Sequence, residues 1–407
     1  MHGIGTKRGI TIHSLKPVLL DISRSISRVG RGPATGIDRV ELAYLRWALD
    51  RPAPVWSLAR TSSGCALLDR STSQNILQKL RGDALWGPKD MRAHIGLKTP
   101  DARGRAESYI RRHAAHMVPN SSSKLDLPQD LKGGVYINVG HSNVGPIFGS
   151  LKASGLGIVA MIHDVIPLTH PHFQASHSVE RFRQKLNVIT NAADLIIANS
   201  AETETILCQK ANRVPECVVA HLGLPETDKT TATFTQDKPY FVTVGTIEPR
   251  KNHRFLMKVW DALGADAELH IIGQRGWNNA DVFADLDALG ATDSVKELGP
   301  LRDDELWPRL KGAQALLFPS FAEGFGFPGL EAAALGVPVI CGDLAIHREV
   351  LGRYPVYAET SDVYSWKDEV TAVLNDRNSG IRGLVPRLPT WDTHFEIVDD
   401  ALSSLST

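Results

Sequence analysis

Four cysteines are all that the 407 residues contain, and Cys65, Cys208, Cys217 and Cys341 form no C-x-x-C pair and have no histidine at metal spacing. That pattern excludes a disulfide-stapled scaffold or a zinc knuckle and reads as reduced, structural thiols of a cytoplasmic protein. No His/Cys/Asp cluster has ligand spacing, so neither a metal nor any other cofactor is expected. No apolar run approaches the roughly 18 residues that span a bilayer. The opening MHGIGTKRGITIHSLK has basic residues but no apolar stretch long enough for a signal peptide, and reads as a short disordered leader. Net charge is also missing: 45 Lys and Arg balance 45 Asp and Glu. No global field then draws the chain to nucleic acid, and aromatic and basic residues do not interleave, so nucleic acid is not an expected partner. Internal repeats and low-complexity tracts are absent.

What is present is an ordinary globular composition, 43% hydrophobic and 22% charged, in a chain long enough for two separate cores. Val18–Ile22 (VLLDI) reads as a first strand, with a Gly/Arg/Ser-rich loop and a helix near Asp38–Ala48 behind it. Residues 51–70 read as strand with turns, and Ser73 to His116 as polar helix, broken at Asn120–Ser123. Strands are expected at Val135–Val139, Gly157–Ile162, Leu195–Ala198 and near Cys217–His221, with a helix over Ser178–Ala192. Glu226–Lys238 turns to Thr, Asp and Lys without apolar periodicity, which suits an interdomain linker. Beyond it FVTVG, LHIIG, VKELG and LLFPS alternate with helical segments. Strands apolar on both faces and alternating with helices predict α/β domains, each a Rossmann-like doubly wound parallel sheet, facing one another across a cleft.

Leu316 to Asp343, LLFPSFAEGFGFPGLEAAALGVPVICGD, carries the most chemistry. It reads as a buried strand, a glycine-rich loop, a small-residue helix and a second buried strand. Gly324 and Gly326 permit unusual backbone angles and close approach to a ligand, and Pro328 suits the first helical turn. On one continuous helix Glu323 and Glu331 would stand about 12 Å apart. With Glu323 in the loop and Glu331 about one turn into the helix, both can face a ligand at the helix N-terminus, where free N–H groups favour phosphate. A sugar joined to a phosphate fits such a site.

This stretch resembles the E-x7-E element of retaining glycosyltransferases of family 4, which have the GT-B fold. Four further segments resemble that family's landmarks, in the expected order: Pro33-Ala-Thr-Gly-Ile-Asp-Arg-Val40 in a form met in bacterial polysaccharide enzymes, Ile162-His-Asp-Val-Ile-Pro167, Asp194-Leu-Ile-Ile-Ala-Asn-Ser200 and Val244-Gly-Thr-Ile-Glu-Pro-Arg-Lys-Asn252. The resemblance implies an acceptor-side domain over 1–225, a nucleotide-sugar domain over 226–389 and a C-terminal helix over 390–407 that crosses back onto the first. It implies hexosyl transfer, mannosyl-like by the GQRGW and TGIDRV forms, from a nucleotide-diphosphate sugar to a glycan or polyprenyl-diphosphate-linked acceptor, without a metal.

Arg250 and Lys251 follow the strand-end Gly245, where doubly wound sheets hold ligands. They can neutralise a diphosphate as a fork and a point charge, though basic pairs also occur in plain exposed turns. By resemblance Glu331 takes the ribose hydroxyls and Glu323 contacts the donor sugar. The backbone of Gly324, Phe325, Gly326 and Phe327 would hold sugar hydroxyls and the β-phosphate. The resemblance also sets His163 beside the reacting centre, while Asp164 orients its loop; a strand-end histidine is often merely packed and hydrogen-bonded. His141, a second strand-end histidine, would touch acceptor or donor, or simply cap the next helix. The Gly36 backbone can approach the diphosphate from the first domain, among Arg28, Arg31 and Arg39; Arg39 would meet acceptor phosphate or form a surface salt bridge. Ser200 reads as a helix N-cap. Arg275 would border the nucleotide, and Gly299-Pro-Leu301 would hold the base. Asp101 to Lys124 is basic and reads either as a solvated face or as contact with anionic lipid at the inner membrane. A sugar-nucleotide epimerase and a non-catalytic sugar-nucleotide-binding partner remain as alternatives.

Overall fold

The computed structural model describes residues 15–405 except 63, 96–100, 120–124, 176, 225–231, 265, 291 and 382. The leader, the Asn120–Ser123 break and most of the first half of the expected linker therefore lie outside the described residues.

Eight strands form the first sheet: β1 (Val18–Asp21), β2 (Val55–Thr61), β3 (Gly64–Leu68), β4 (His116–Val118), β5 (Val135–Asn138), β6 (Gly157–Ile162), β7 (Leu195–Ala198) and β8 (Glu216–Val219), in the order β4-β3-β2-β1-β5-β6-β7-β8. Every residue of β1, β5, β6 and β7 is buried, as expected of strands covered by helices on both faces. Here the structure departs from a purely parallel sheet: β3 runs antiparallel to β2 and β4 antiparallel to β3. The cause is local. Thr61 and Gly64 face one another as partners across a tight turn, and so short a connection cannot make the crossover that a parallel pair needs.

The second sheet is wholly parallel. Its strands β9 (Tyr240–Val244), β10 (Glu268–Ile272), β11 (Val295–Gly299), β12 (Leu316–Phe318), β13 (Val339–Cys341) and β14 (Val356–Tyr357) lie in the order β11-β10-β9-β12-β13-β14. Each sheet has one place where chain order reverses, between β1 and β5 in the first and between β9 and β12 in the second. Crevices for ligands open outside the carboxyl ends of strands at such points.

The C-terminal helix Trp391–Ser404 returns to the first half of the chain. Phe395 stacks on Trp47 with ring centroids 5.0 Å apart, and the Tyr44 hydroxyl lies 2.8 Å from His394 Nε2. A second tie uses Glu349, whose carboxylate accepts the first N–H groups of the helix Ala201–Lys210, from Ala201 at 2.7 Å and Glu202 at 3.0 Å. Anions are favoured at that end of a helix. Among the described residues no helix is long and apolar enough to cross a membrane.

Candidate functional site

Charge gathers beyond the carboxyl ends of β9 and β12. Gly245 follows β9 with φ 145°, and a Cβ there would meet Lys251 Cε at 3.0 Å, so glycine is what lets the chain turn tightly around the lysine. Pro249–Lys251 forms one 3₁₀ turn, closed by Asn252 in the left-handed region. From this turn Lys251 Nζ reaches Glu323 Oε1 at 2.6 Å, and Arg250 Nη1 reaches Glu323 Oε2 at 3.0 Å. Arg250 also donates Nε to Glu248 at 2.6 Å and Nη1 to the Ala322 carbonyl at 2.9 Å.

Glu323 is 6% exposed in its side chain. Burial works against its charge, but Lys251 and Arg250 outweigh burial and hold the carboxyl at about 2. The guanidinium of Arg250 is driven up despite burial by Glu323, Glu248 and Asp164. Burial pushes the Lys251 ammonium down, with Glu323 opposing. Glu323 is thus a carboxylate at neutral pH, fixed in orientation by two cations from one turn.

The other half of the site comes from the first sheet. A Cβ on Gly324 would fall 2.8 Å from the His163 carbonyl oxygen and 3.2 Å from Asp164 Cβ. Glycine at 324 is therefore what lets the two halves of the chain touch. Asn199 locks the contact by donating Nδ2 to the His163 carbonyl at 2.8 Å and to the Gly324 carbonyl at 3.2 Å. Asp164 accepts from Ile166 N at 3.1 Å and so shapes its own loop. His163 Nε2 lies 2.7 Å from the Val139 carbonyl, and burial drives its imidazole down to about 3, with His141 adding to the push. It is neutral at pH 7. His141, at φ 54°, holds its ring against the Met161 carbonyl, 5.4 Å between centroids from His163.

Glu331 lies in the helix Phe327–Ala334, whose N-cap Gly326 has φ 83°. The carboxylate is met from the first domain by Arg39, with Nη1 2.7 Å from Oε1, while Arg39 Nη2 binds Asp303. In the same turn Gly36 lies against the Phe327 ring, where a Cβ would come within 3.3 Å. Arg28 pairs with Asp38 at 3.3 Å, and Arg31 is exposed. The Phe325 side chain is buried, so only its backbone is offered to a ligand.

Arg275 is placed beside the loop through its backbone, for Ile247 N bonds to the Gln274 carbonyl at 2.9 Å and Gly276 N to the Ile247 carbonyl at 3.1 Å. Its guanidinium points elsewhere, to Glu297 at 2.6 Å and Asp287 at 2.7 Å. Ser200 is an N-cap, accepting from Thr203 N at 3.0 Å. In the basic stretch from Asp101, Arg103 pairs with Glu107, Arg105 with Asp101 and Arg111 with Asp90, so its charge is largely matched within the fold. Among the described residues no group of three or more His, Cys, Asp or Glu is placed to hold a metal ion.

Sequence reasoning passed over Glu248, Asn199 and Asp303. The first two lie inside segments already singled out, GTIEPRK and DLIIANS, and a polar residue within such a motif was the available signal. For Asp303 no local pattern announced the contact.

Residues 226–381 match the family described as Glycosyl transferases group 1. The O-antigen chain mannosyltransferase B of Escherichia coli is 27% identical over 234 residues, 54% of this chain and 61% of that one. The O-antigen chain mannosyltransferase RfbU of Salmonella typhimurium is 29% identical over 243 residues, 56% of this chain and 64% of that one. The match thus spans less than two thirds of these relatives. Among solved structures, Anabaena HepE in complex with UDP-glucose superposes with a TM-score of 0.65 at 14% identity, covering 96% of this chain and all of that one. Sucrose-phosphate synthase from Thermosynechococcus elongatus gives 0.60 at 15% identity, covering 95% and 96%. Both are similar in fold across both domains. The stretch 226–381 is a glycosyl transferases group 1 domain, set within a GT-B fold.

Proposed function

We propose that the protein is a retaining glycosyltransferase that moves a hexosyl unit from a nucleotide-diphosphate sugar to a glycan or polyprenyl-diphosphate-linked acceptor in surface-polysaccharide synthesis, on the cytoplasmic side. The observation that carries this is the Glu323–Lys251–Arg250 cluster at the second sheet's switch point, with the His163–Asp164 loop pressed on Gly324 from the other domain. Mannose is favoured as the sugar because two O-antigen mannosyltransferases are among the relatives.

The paired charges suit this reaction. Lys251 gives one N–H to Glu323, and a lysine has three, so the ammonium can serve a phosphate oxygen while still orienting Glu323. The Phe327–Ala334 helix begins directly after the Glu323 loop, with the positive end of its dipole there. Together they would stabilise charge building on the departing diphosphate without a metal. Glu323, ionised and fixed, would accept hydroxyls of the donor sugar. The leaving phosphate would take the acceptor's proton, so that no protein nucleophile is needed. Neutral His163 would border the sugar as a hydrogen-bonding wall rather than as an acid.

The test is transfer from radiolabelled GDP-mannose, with UDP-sugars in parallel, onto a polyprenyl-diphosphate-linked glycan, and the product's anomeric linkage read by NMR. Transfer with the donor's α configuration kept is expected. Inverted product would sink the retaining mechanism, epimerised donor without transfer would favour the epimerase, and binding without turnover would leave a sugar-nucleotide-binding partner.

A further inference from the structure

Glu331 sits in the second domain, yet among the described residues its cationic partner, Arg39, comes from the first. The carboxylate is 3% exposed. Burial pushes its carboxyl up, Arg39 opposes that push, and Asp303 adds to it; these are the charged groups that face it. A buried carboxylate without a cation protonates instead, and a protonated one is a poorer acceptor for a pair of hydroxyls.

The mounting of Arg39 is rigid. It lies in the first turn of the helix Gly36–Asp50, which is closed by a Thr35–Asp38 capping box. Thr35 N donates to Asp38 at 2.8 Å, and Arg24 adds a bond to Asp38 at 2.7 Å. The guanidinium is shared between two carboxylates of the second domain rather than clasping one. It engages Glu331 through Oε1 and leaves Oε2 uncommitted, while its other nitrogen is held by Asp303.

We infer that Arg39 is a positioning residue for the donor site: from the first domain it clasps Glu331 and turns it toward a ribose diol, so that nucleotide recognition by the second domain requires the first to be closed on it. This rests on the reading of the cleft as a nucleotide-sugar site. Arg39 itself touches neither donor nor acceptor. Its role is to set the direction of a carboxylate that does.

The test compares wild type, Arg39→Met and Arg39→Lys by calorimetric titration with GDP, UDP and inorganic pyrophosphate from pH 6 to 8.5, reading the ratio of variant to wild-type dissociation constants so that the ligand's own titration cancels. Removing Arg39 raises the Glu331 carboxyl, so fewer molecules carry the carboxylate at low pH. Arg39→Met is therefore expected to weaken nucleotide binding about tenfold or more at pH 6.5 and to recover as pH rises, by at most about tenfold per pH unit for one proton. Arg39→Lys should restore most of the flat profile, and pyrophosphate, which has no ribose, should bind all three alike. A pH-independent ratio near one for Arg39→Met, or equal losses for nucleotide and pyrophosphate, overturns the inference. If Arg39→Met does not fold, Arg39→Gln takes its place, with the same pH-dependent nucleotide loss expected and a pH-independent ratio near one overturning the inference. Failure of the wild type to bind any nucleoside diphosphate would instead sink the donor-site reading beneath it.

Discussion

Two buried glutamates at the two switch points behave in opposite ways. Glu323, beyond β12 in the second sheet, is held at about 2 because Lys251 and Arg250 overcome burial. Glu41 lies near the ends of β1 and β5 in the first sheet, and a Cβ on Gly140 would come within 2.1 Å of its Oε2. It accepts Ser25 N at 2.7 Å, and burial pushes its carboxyl up to about 8, with Asp21 adding to the push. Nearby, Asp21 is also raised by burial and is met by neutral donors, Tyr136 at 2.7 Å and Asn143 at 3.1 Å. Burial disfavours both charges, and cations from a neighbouring loop decide which survives. The buried carboxylate of the second sheet's switch point is thus compensated by cations, whereas the carboxyls at the first are met by neutral donors. The two halves differ in charge compensation more than in backbone plan.

The comparison breaks most visibly if the cations are removed. Lys251→Met leaves Glu323 buried beside Arg250 alone, and loss of one partner of a buried pair costs about 3–5 kcal/mol; chemical denaturation at pH 7 should show it. Next comes Glu323→Gln, which keeps the shape and removes the charge. It is expected to cut kcat about 10²- to 10³-fold, by analogy with removing one preorganised electrostatic group, whereas a mere binding module would lose only affinity.

The pH dependence of stability sharpens the contrast, because the signs are opposite. Glu323 has a depressed folded value, so its contribution is complete above the unfolded value of about 4.5 and is lost as pH falls toward about 2. Glu41 has a raised folded value, so its contribution is complete below about 4.5 and declines as pH rises toward about 8. Glu41→Gln should therefore gain roughly 3 kcal/mol relative to wild type between pH 5 and pH 8, and denaturation curves at the two pH values check it. The smallest effect is expected at the domain contact. Gly324→Ala places a methyl against the His163 carbonyl, costing about 1–3 kcal/mol as overpacking and raising KM for the donor more than it lowers stability.

Legibility in the sequence followed the same division. In the second domain the site is written in short, contiguous segments. Gly245 to Lys251 and Glu323 to Glu331 each carry both the backbone bend and the side chains that use it, so local spacing sufficed. Strands were equally plain: Gly157–Ile162 and Leu195–Ala198 fall where apolar runs of strand length set them. The antiparallel edge β3–β4 was not legible as such, since apolar strands look alike whichever way they run. Nor was the first domain's polar floor, because Asp21 and Glu41 lie far along the chain from Asn138 and Asn143 and the two pairs converge only through sheet order. Arg39 was read as either an acceptor contact or a surface bridge. The structure shows a bridge, but to a buried carboxylate 292 residues away, a contact that no periodicity announces. Arg275, by contrast, had the right neighbourhood and the wrong direction, because Glu297 on the adjacent strand captures it.

The central claim is that the Arg250–Lys251–Glu323 loop pair is a metal-free nucleotide-diphosphate site. It is tested most directly by the thermal unfolding of the full chain with GDP, UDP, dTDP and ADP, each with and without EDTA. One diphosphate should raise the melting temperature equally with and without chelator, corresponding to about 2.7 kcal/mol at a hundred times its dissociation constant. No shift with any of them at millimolar concentration, or a shift that EDTA abolishes, would contradict it.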